Sequence, residues 1–174
     1  YRSARGGETL KPGGERFVVK CPKVDTHGLT QEMSAYEVCE KRCEAIRGGK
    51  YDVIIGNFAN PDMGGHTGSE AAAIKAVEAV DECVGRAVEA LKEMDGVMFL
   101  CADHGNAEQL KDYTTGAPFT AHTTNPVPFI LINADPSYGL REGGCLADIV
   151  PTLLELMGME QPKEMTGKSL LIRK

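Results

Sequence analysis

The stretch Tyr51-Asp-Val-Ile-Ile-Gly-Asn57-Phe-Ala-Asn-Pro-Asp62-Met-Gly-Gly-His66-Thr-Gly68 runs from an apolar segment directly into a polar one. Its first seven residues predict a buried β-strand, because a continuous apolar run is typical of a strand covered on both faces. The rest contains too much glycine and proline for a regular element to be expected. It places the Asp62 carboxylate and the His66 imidazole four residues apart. The stretch therefore presents two possible metal ligands just after a strand.

Helix-like and strand-like segments alternate along the rest of the chain. Apolar spacing predicts three helices. The first starts at Ser34 with a capping box, the second covers residues 69–92, and the third has Pro151 in its first turn. The valines of the second helix fall on its predicted buried face. Continuous apolar runs predict further buried strands over residues 96–102 and 127–133. This alternation is typical of a mainly parallel sheet with helices on both faces, and therefore of a three-layer αβα domain of the α/β class.

Two other pieces of the sequence carry possible metal ligands. Asp103 and His104 follow the second predicted strand, and His122 lies in a later loop. Ligands of a parallel sheet collect at the carboxyl ends of its strands, so these side chains and the pair Asp62 and His66 are expected at one edge. Two aspartates and three histidines exceed the four ligands of one structural site, which favours two metals and phosphoryl transfer. Taken singly, each could instead form a turn, cap a helix or be an ordinary polar loop residue.

The composition argues against a nucleic-acid-binding protein and against a membrane protein. The 174 residues carry a net charge of −6 and no cluster of lysine and arginine, so nucleic acid is not an expected partner. No apolar run approaches the ~20 residues of a membrane span, and no membrane association is expected. The six cysteines form no Cys-x-x-Cys pair, which favours reduced thiols and a cytoplasmic location. The sequence has no motif of a serine hydrolase, a P-loop enzyme or a dinucleotide-binding protein.

Three longer motifs occur in order along the chain. They are Asn60-Pro-Asp-Met63 with Gly65-His-Thr-Gly68, then Ala102-Asp-His-Gly-Asn106, then Ala121-His-Thr-Thr-Asn-Pro-Val-Pro128. Their flanks include Pro22-Lys-Val24, Gln31-Glu-Met-Ser-Ala35, Leu146-Ala-Asp-Ile-Val-Pro-Thr152 and Met165-Thr-Gly-Lys-Ser-Leu170. Together these segments resemble the cofactor-independent phosphoglycerate mutases. The resemblance covers nearly the whole chain, as the C-terminal part of such an enzyme.

The resemblance implies an alkaline-phosphatase-like fold and the interconversion of 3-phosphoglycerate and 2-phosphoglycerate without free bisphosphoglycerate. In that family a serine takes the phosphoryl group and returns it to the other hydroxyl of the glycerate. Two manganese ions are usual, with magnesium, cobalt or zinc in some members. By motif match, Asp62, His66 and His122 would hold one metal. Asp103 and His104 would contribute to the other, which lies next to the nucleophile.

The resemblance also implies that essential parts lie outside this sequence. The family's nucleophilic serine, a further metal-binding aspartate and the arginine-rich substrate domain all precede the matched region. Residues 1–174 are thus expected to be the C-terminal portion of the metal-binding phosphatase domain, with the N-terminal part as partner and phosphoglycerate as substrate. We expect this chain alone to be inactive and to bind at most one metal well. Cys21, His27 and Phe119 depart from the family's pattern and leave the ligands unaffected.

Two other interpretations remain open at this point. A different member of the alkaline phosphatase superfamily, such as a phosphopentomutase, a phosphodiesterase or a phosphatase, would share this metal core and act on another substrate. Alternatively, the chain is a non-catalytic fragment that packs against a partner. The second interpretation predicts an exposed apolar sheet edge or face, because such an edge invites pairing with another chain.

Overall fold

The computed structural model of the protein describes residues 13–19, 32 and 34–174. Its helices are α1 (Ala35–Arg47), α2 (Asn60–His66), α3 (Glu70–Glu93) and α4 (Ile149–Leu156), and its strands are β1 (Met98–Cys101), β2 (Phe129–Ile132), β3 (Tyr138–Leu140) and β4 (Leu171–Arg173). The chain divides into two units. The first unit consists of the described residues up to Gly96 together with His104–Val127. The second unit consists of Val97–Asp103 and Pro128–Lys174. None of the described helices has the length and apolar content that crossing a bilayer requires.

The long helices lie where the apolar periodicity places them. Helix α1 begins directly after Ser34, but that side chain makes no capping hydrogen bond, so the predicted capping box does not form. Helix α3 begins after Ser69, whose hydroxyl accepts a hydrogen bond from the backbone N–H of Ala72 at 3.4 Å. Helix α4 contains Pro151 in its first turn, where the missing N–H costs no helical hydrogen bond. Gly158 follows this helix with a φ of +66°, the left-handed conformation that ends many helices.

Helices α1 and α3 pack through small side chains. Helix α1 buries Ala35, Cys39 and Cys43. The buried face of α3 consists mainly of alanine: Ala72, Ala73, Ala76, Ala79, Cys83, Ala87, Ala90 and Leu91. The prediction that the valines of α3 face the core is wrong for Val77, which is 47% exposed. The alanine face is buried instead, because small side chains let neighbouring helix backbones approach closely at full packing density.

The glycine- and proline-rich motif, for which no regular element was predicted, forms helix α2. Pro61 lies in its first turn. Gly64 and Gly65 are buried because the helix lies close to its neighbours. A Cβ at Gly64 would lie 3.1 Å from the Cβ of Ala76, and one at Gly65 would overlap the side-chain amide of Asn106. The prediction was wrong because these tertiary contacts stabilise a helix that glycine disfavours locally.

Residues 51–57 do not form the predicted buried strand. Val53 is 41% exposed and Ile55 is 88% exposed. A strand exists only when a neighbour accepts and donates its backbone hydrogen bonds, and none of the described strands pairs with this run. The apolar pattern identifies a segment that can become a strand, but the partner that would complete it is a property of the tertiary structure.

The strands of the second unit pair in antiparallel fashion. In the β1–β2 ladder Cys101 lies opposite Phe129, and β3 pairs with β4 in the same sense. The predicted parallel neighbours are therefore not found among the strands that the structure describes. The reason is the connection over residues 102–128, which contains no helix that would carry the chain back across the sheet. The chain consequently leaves and re-enters the first ladder at the same end.

A buried aspartate joins three parts of the second unit. Asp148, which is 6% exposed, precedes α4. Its Oδ1 accepts a hydrogen bond from the backbone N–H of Lys168 at 2.7 Å. Its Oδ2 accepts from the backbone N–H of Cys145 at 3.0 Å and from Nη2 of Arg141 at 3.1 Å. The carboxylate therefore fastens the start of α4 to the segment that leads into β4.

We expect Asp148→Asn to lower the stability of the protein at neutral pH. Backbone hydrogen bonds from Lys168 and Cys145 hold the pKa of Asp148 below its ordinary value. The carboxylate therefore stabilises the fold above its unfolded-state pKa of about 4, and this contribution is lost as the pH falls through the lower folded-state pKa. Urea unfolding at pH 7 and pH 3 measures the effect. The difference between the two proteins should shrink at pH 3, and an equal difference at both pH values would contradict the assignment.

Candidate metal centre

Helix α2 presents two of the predicted ligands on one face. Asp62 and His66 are four residues apart, about one helical turn, so their side chains are neighbours on the helix surface. His66 Nε2 lies 3.2 Å from Asp62 Oδ1. The aspartate is partly buried and the histidine is exposed. A cation or a small molecule in solvent can therefore reach the pair.

His122 brings a third ligand from a distant part of the sequence. Its Nε2 lies 3.1 Å from Asp62 Oδ1 and 3.2 Å from His66 Nε2. The ligand atoms of the three residues all lie within 4.8 Å of one another. The structure thus brings together, within the first unit, three side chains that the sequence analysis selected from two separate motifs.

The geometry and the chemistry of this group suit a divalent metal. A tetrahedral ion held by nitrogen and oxygen at about 2.0–2.1 Å keeps its ligand atoms roughly 3.4 Å apart. The three atoms here are separated by 3.1 to 3.2 Å. One carboxylate and two imidazoles form a donor set that binds manganese, cobalt or zinc. Three protein ligands is also the number found in catalytic sites, which keep a position for water or substrate.

Residues 110–121 form a hairpin, in which the backbone N–H of Phe119 donates to the carbonyl oxygen of Leu110. This hairpin determines how His66 is oriented. His66 Nδ1 lies 2.6 Å from the carbonyl oxygen of Thr120. Because a carbonyl can only accept, Nδ1 carries the proton and Nε2 keeps its lone pair towards Asp62 and His122. Gly68, with a φ of +68°, ends the turn after α2, and a Cβ there would lie 3.2 Å from the Thr120 methyl group. The close approach of the hairpin to this turn therefore favours glycine.

The other two predicted ligands are placed differently. The ring of His104 stacks on that of His122, with centroids 3.8 Å apart and planes inclined by 20°. His104 Nδ1 lies 3.3 Å from the carbonyl oxygen of Gly105. His104 is not part of the three-ligand group found among the described residues. Asp103 is exposed and ends the first segment of the second unit. The first unit therefore contains four of the five predicted ligands, and three of these four form the group.

Asn106 belongs to the site but was not among the residues predicted for it. Asn106 is 4% exposed, and its Nδ2 donates to Asp62 Oδ1 at 2.7 Å. Because the carboxylate needs a donor, the amide nitrogen faces it, and the amide oxygen is left buried against Gly65 without a hydrogen-bond partner in the described structure. The signal for this role was the position of the asparagine, two residues after His104. Its partner on α2 could not be read from the sequence.

Comparison with known families places the chain in a group of metal-dependent enzymes. A family model described as the metalloenzyme superfamily matches residues 4–161. The chain belongs to this superfamily. The matched region contains all five predicted ligands. This membership, together with the structural likeness described next, confirms the predicted α/β, alkaline-phosphatase-like fold class.

Several relatives are named as 2,3-bisphosphoglycerate-independent phosphoglycerate mutases. The protein of Lachnoclostridium phytofermentans is 71% identical over 169 residues, which cover 97% of this chain and 33% of that protein. The Clostridium botulinum protein is 55% identical over 166 residues, covering 95% and 32%. A crystal structure of Leishmania mexicana phosphoglycerate mutase at low cobalt concentration matches with a TM-score of 0.80 and 32% identity, over 90% of this chain and 31% of that one. The chain thus spans about a third of the length of these superfamily relatives.

Proposed function

We propose that this superfamily chain is the C-terminal portion of the phosphatase domain of a cofactor-independent phosphoglycerate mutase. The whole enzyme would be an isomerase that interconverts 3-phosphoglycerate and 2-phosphoglycerate in glycolysis and gluconeogenesis, in the cytoplasm. The observation that carries this proposal is the 71% identity, over 97% of the chain, with a protein of that name. The convergence of Asp62, His66 and His122 supports it, because phosphoryl transfer of this kind uses divalent metals.

The proposed cofactors are two divalent metal ions, with manganese as the first choice and magnesium, cobalt or zinc as alternatives. Asp62, His66 and His122 would hold one of them. Asp103 and His104 would contribute to the other. The description of the Leishmania mexicana crystal structure as one at low cobalt concentration supports a divalent ion for that relative. Metal identity in such donor sets depends on supply as well as affinity, so the ion is a matter for measurement.

In the proposed reaction the bound metals would lower the pKa of a coordinated hydroxyl and offset the charge of the phosphoryl group. The side chains of this chain supply the setting for that chemistry. Thr120 keeps the proton of His66 on Nδ1, so that Nε2 would be available as a ligand. Asn106 orients the Asp62 carboxylate through a hydrogen bond of 2.7 Å. Both contacts orient the donor atoms as the supporting hydrogen bonds of a metal site do.

The nucleophilic serine and the substrate-binding domain are proposed to come from the remaining two-thirds of the polypeptide that relatives of full length contain. Phosphoglycerate and that N-terminal part are therefore the proposed partners. Without them the chain would hold at most one metal well and would not turn over substrate. A second candidate, another superfamily metalloenzyme acting on a different phosphate ester, shares the same metal group and differs in this missing part.

The test uses the full-length protein that contains this chain, purified, stripped of metal and reloaded with Mn2+. We expect conversion of 3-phosphoglycerate to 2-phosphoglycerate by the loaded protein, loss of activity after chelation, and recovery when Mn2+ is restored. The isolated chain of 174 residues serves as the matched control and should show no turnover. Hydrolysis of a phosphate ester, or isomerisation of a pentose phosphate, with no mutase activity would instead support the second candidate.

A further inference from the structure

Glu108 connects the turn after His104 to the loop that carries His122 of the metal centre. Its Oε2 accepts a hydrogen bond from the backbone N–H of Asn106 at 2.6 Å. Its Oε1 accepts from the Thr123 hydroxyl, and also from Nδ2 of Asn125 at 2.9 Å. One carboxylate thus joins the turn after His104 to the segment that follows His122.

Two of the residues that Glu108 contacts, Asn106 and Thr123, are next to residues of the centre. Asn106, whose backbone it holds, donates its side-chain amide to Asp62 Oδ1. Thr123 is adjacent in sequence to His122, and its backbone N–H donates to the carbonyl oxygen of Gly105 at 2.9 Å. A Cβ at Gly105 would overlap the Thr123 hydroxyl. The two loops are therefore in direct contact, and the Glu108 carboxylate accepts hydrogen bonds from both of them.

The charge of Glu108 is consistent with a role as hydrogen-bond acceptor. Glu108 is an exposed residue, but the partial loss of solvent around its carboxyl group acts to raise the pKa of that group. The hydrogen bonds from Thr123, Asn125 and the backbone outweigh that effect, and the pKa lies below its ordinary value. All three named side-chain and backbone partners are neutral donors, so the group serves to accept rather than to pair with a cation. Its oxygen atoms are engaged by these donors and not by the group of Asp62, His66 and His122.

We propose that Glu108 is a positioning residue of the metal centre, which holds Asp62 through Asn106 and His122 through Thr123 in the arrangement that binds the ion. This inference rests on the proposed function, because it takes Asp62, His66 and His122 to be metal ligands. Glu108 itself neither coordinates the ion nor contacts the substrate. Its contribution is to keep Asp62 on α2 and His122 in its loop in place, with Asp62 Oδ1 and His122 Nε2 3.1 Å apart.

The substitution Glu108→Gln tests the proposal with little change in size. The glutamine oxygen can accept from Thr123 or from Asn106, but its NH2 group then faces another donor, and one of the two loops loses its tie. We expect the affinity of the full-length, metal-free protein for Mn2+, measured by titration calorimetry, to fall about 10- to 100-fold. Mutase turnover at saturating Mn2+ should stay near the wild-type value, because Glu108 takes no part in the chemistry.

Two further variants separate positioning from folding and from the proposed function. Thr123→Val removes the hydroxyl that donates to Glu108 and leaves Glu108 itself unchanged. We expect it to lower Mn2+ affinity less than Glu108→Gln does. Glu89→Gln, on the exposed surface of α3, is the matched control and should bind Mn2+ like the wild type. Unchanged Mn2+ affinity in both network variants, or a lower unfolding temperature of the metal-free protein as the only effect, would overturn the positioning role. If the wild-type protein itself bound no Mn2+, the metal assignment would fail first.

Discussion

Replacing Asp62 with asparagine is expected to weaken Mn2+ binding by at least about 100-fold, since loss of a ligand should exceed the 10- to 100-fold effect of losing a supporting group. Asp62 Oδ1 is the atom on which the centre converges. It lies 3.2 Å from His66 Nε2, 3.1 Å from His122 Nε2 and 2.7 Å from Asn106 Nδ2. The amide of asparagine has no negative charge, and it would also present a donor to Asn106. The metal would therefore lose both a ligand and the charge that balances it.

The measurement is titration of the metal-free, full-length protein with Mn2+, followed by the mutase assay on the same samples. Asp81→Asn provides the matched control, because Asp81 is exposed on α3 and undergoes the same chemical change. The control should bind Mn2+ and turn over substrate like the wild type. If Asp62→Asn retained wild-type affinity for Mn2+, the metal centre would have to be sought elsewhere in the protein.

Replacing Gly64 with valine is expected to destabilise the protein by about 1–3 kcal/mol and to weaken Mn2+ binding with it. A Cβ at this position would lie 3.1 Å from the Cβ of Ala76 and 3.2 Å from the Cα of Ala73. These atoms belong to the buried face of α3 and cannot move aside as the end of a long side chain could. The added methyl groups would therefore push α2 away from α3. Because α2 carries Asp62 and His66, these two proposed ligands would move with it.

Gly85→Ala is the control for this substitution. Gly85 lies within α3, and a Cβ there would meet no atom within 4 Å. Alanine should therefore stabilise the helix by about 0.5–1 kcal/mol and leave Mn2+ affinity unchanged. Urea unfolding of the metal-free proteins and Mn2+ titration together measure both effects. Equal stability of Gly64→Val and the wild type would show that the approach of α2 to α3 is not the constraint described here.

The positions of the long helices and of the candidate ligands could be predicted from local pattern. Helix α3 has two dozen residues of regular apolar spacing, and such a long period is a strong signal. The ligands could be selected because aspartate and histidine recur beside glycine-rich turns after apolar runs. Which face of α3 would be buried could not be predicted in the same way. Valine and alanine both repeat at helical spacing, and the choice depends on how closely the neighbouring helices approach.

The sequence by itself determined where α1, α3 and α4 lie, which family the motifs resemble and which residues are chemically able to bind a metal. The tertiary structure alone decided that the motif around Asp62 is a helix, that residues 51–57 are not a strand, and that the described strands run antiparallel. It also decided the partners of Asn106 and Glu108. The physical reason is that periodicity and side-chain chemistry are local, whereas a strand, a close helix contact and a positioned ligand each require a second segment whose distance along the chain no local pattern encodes.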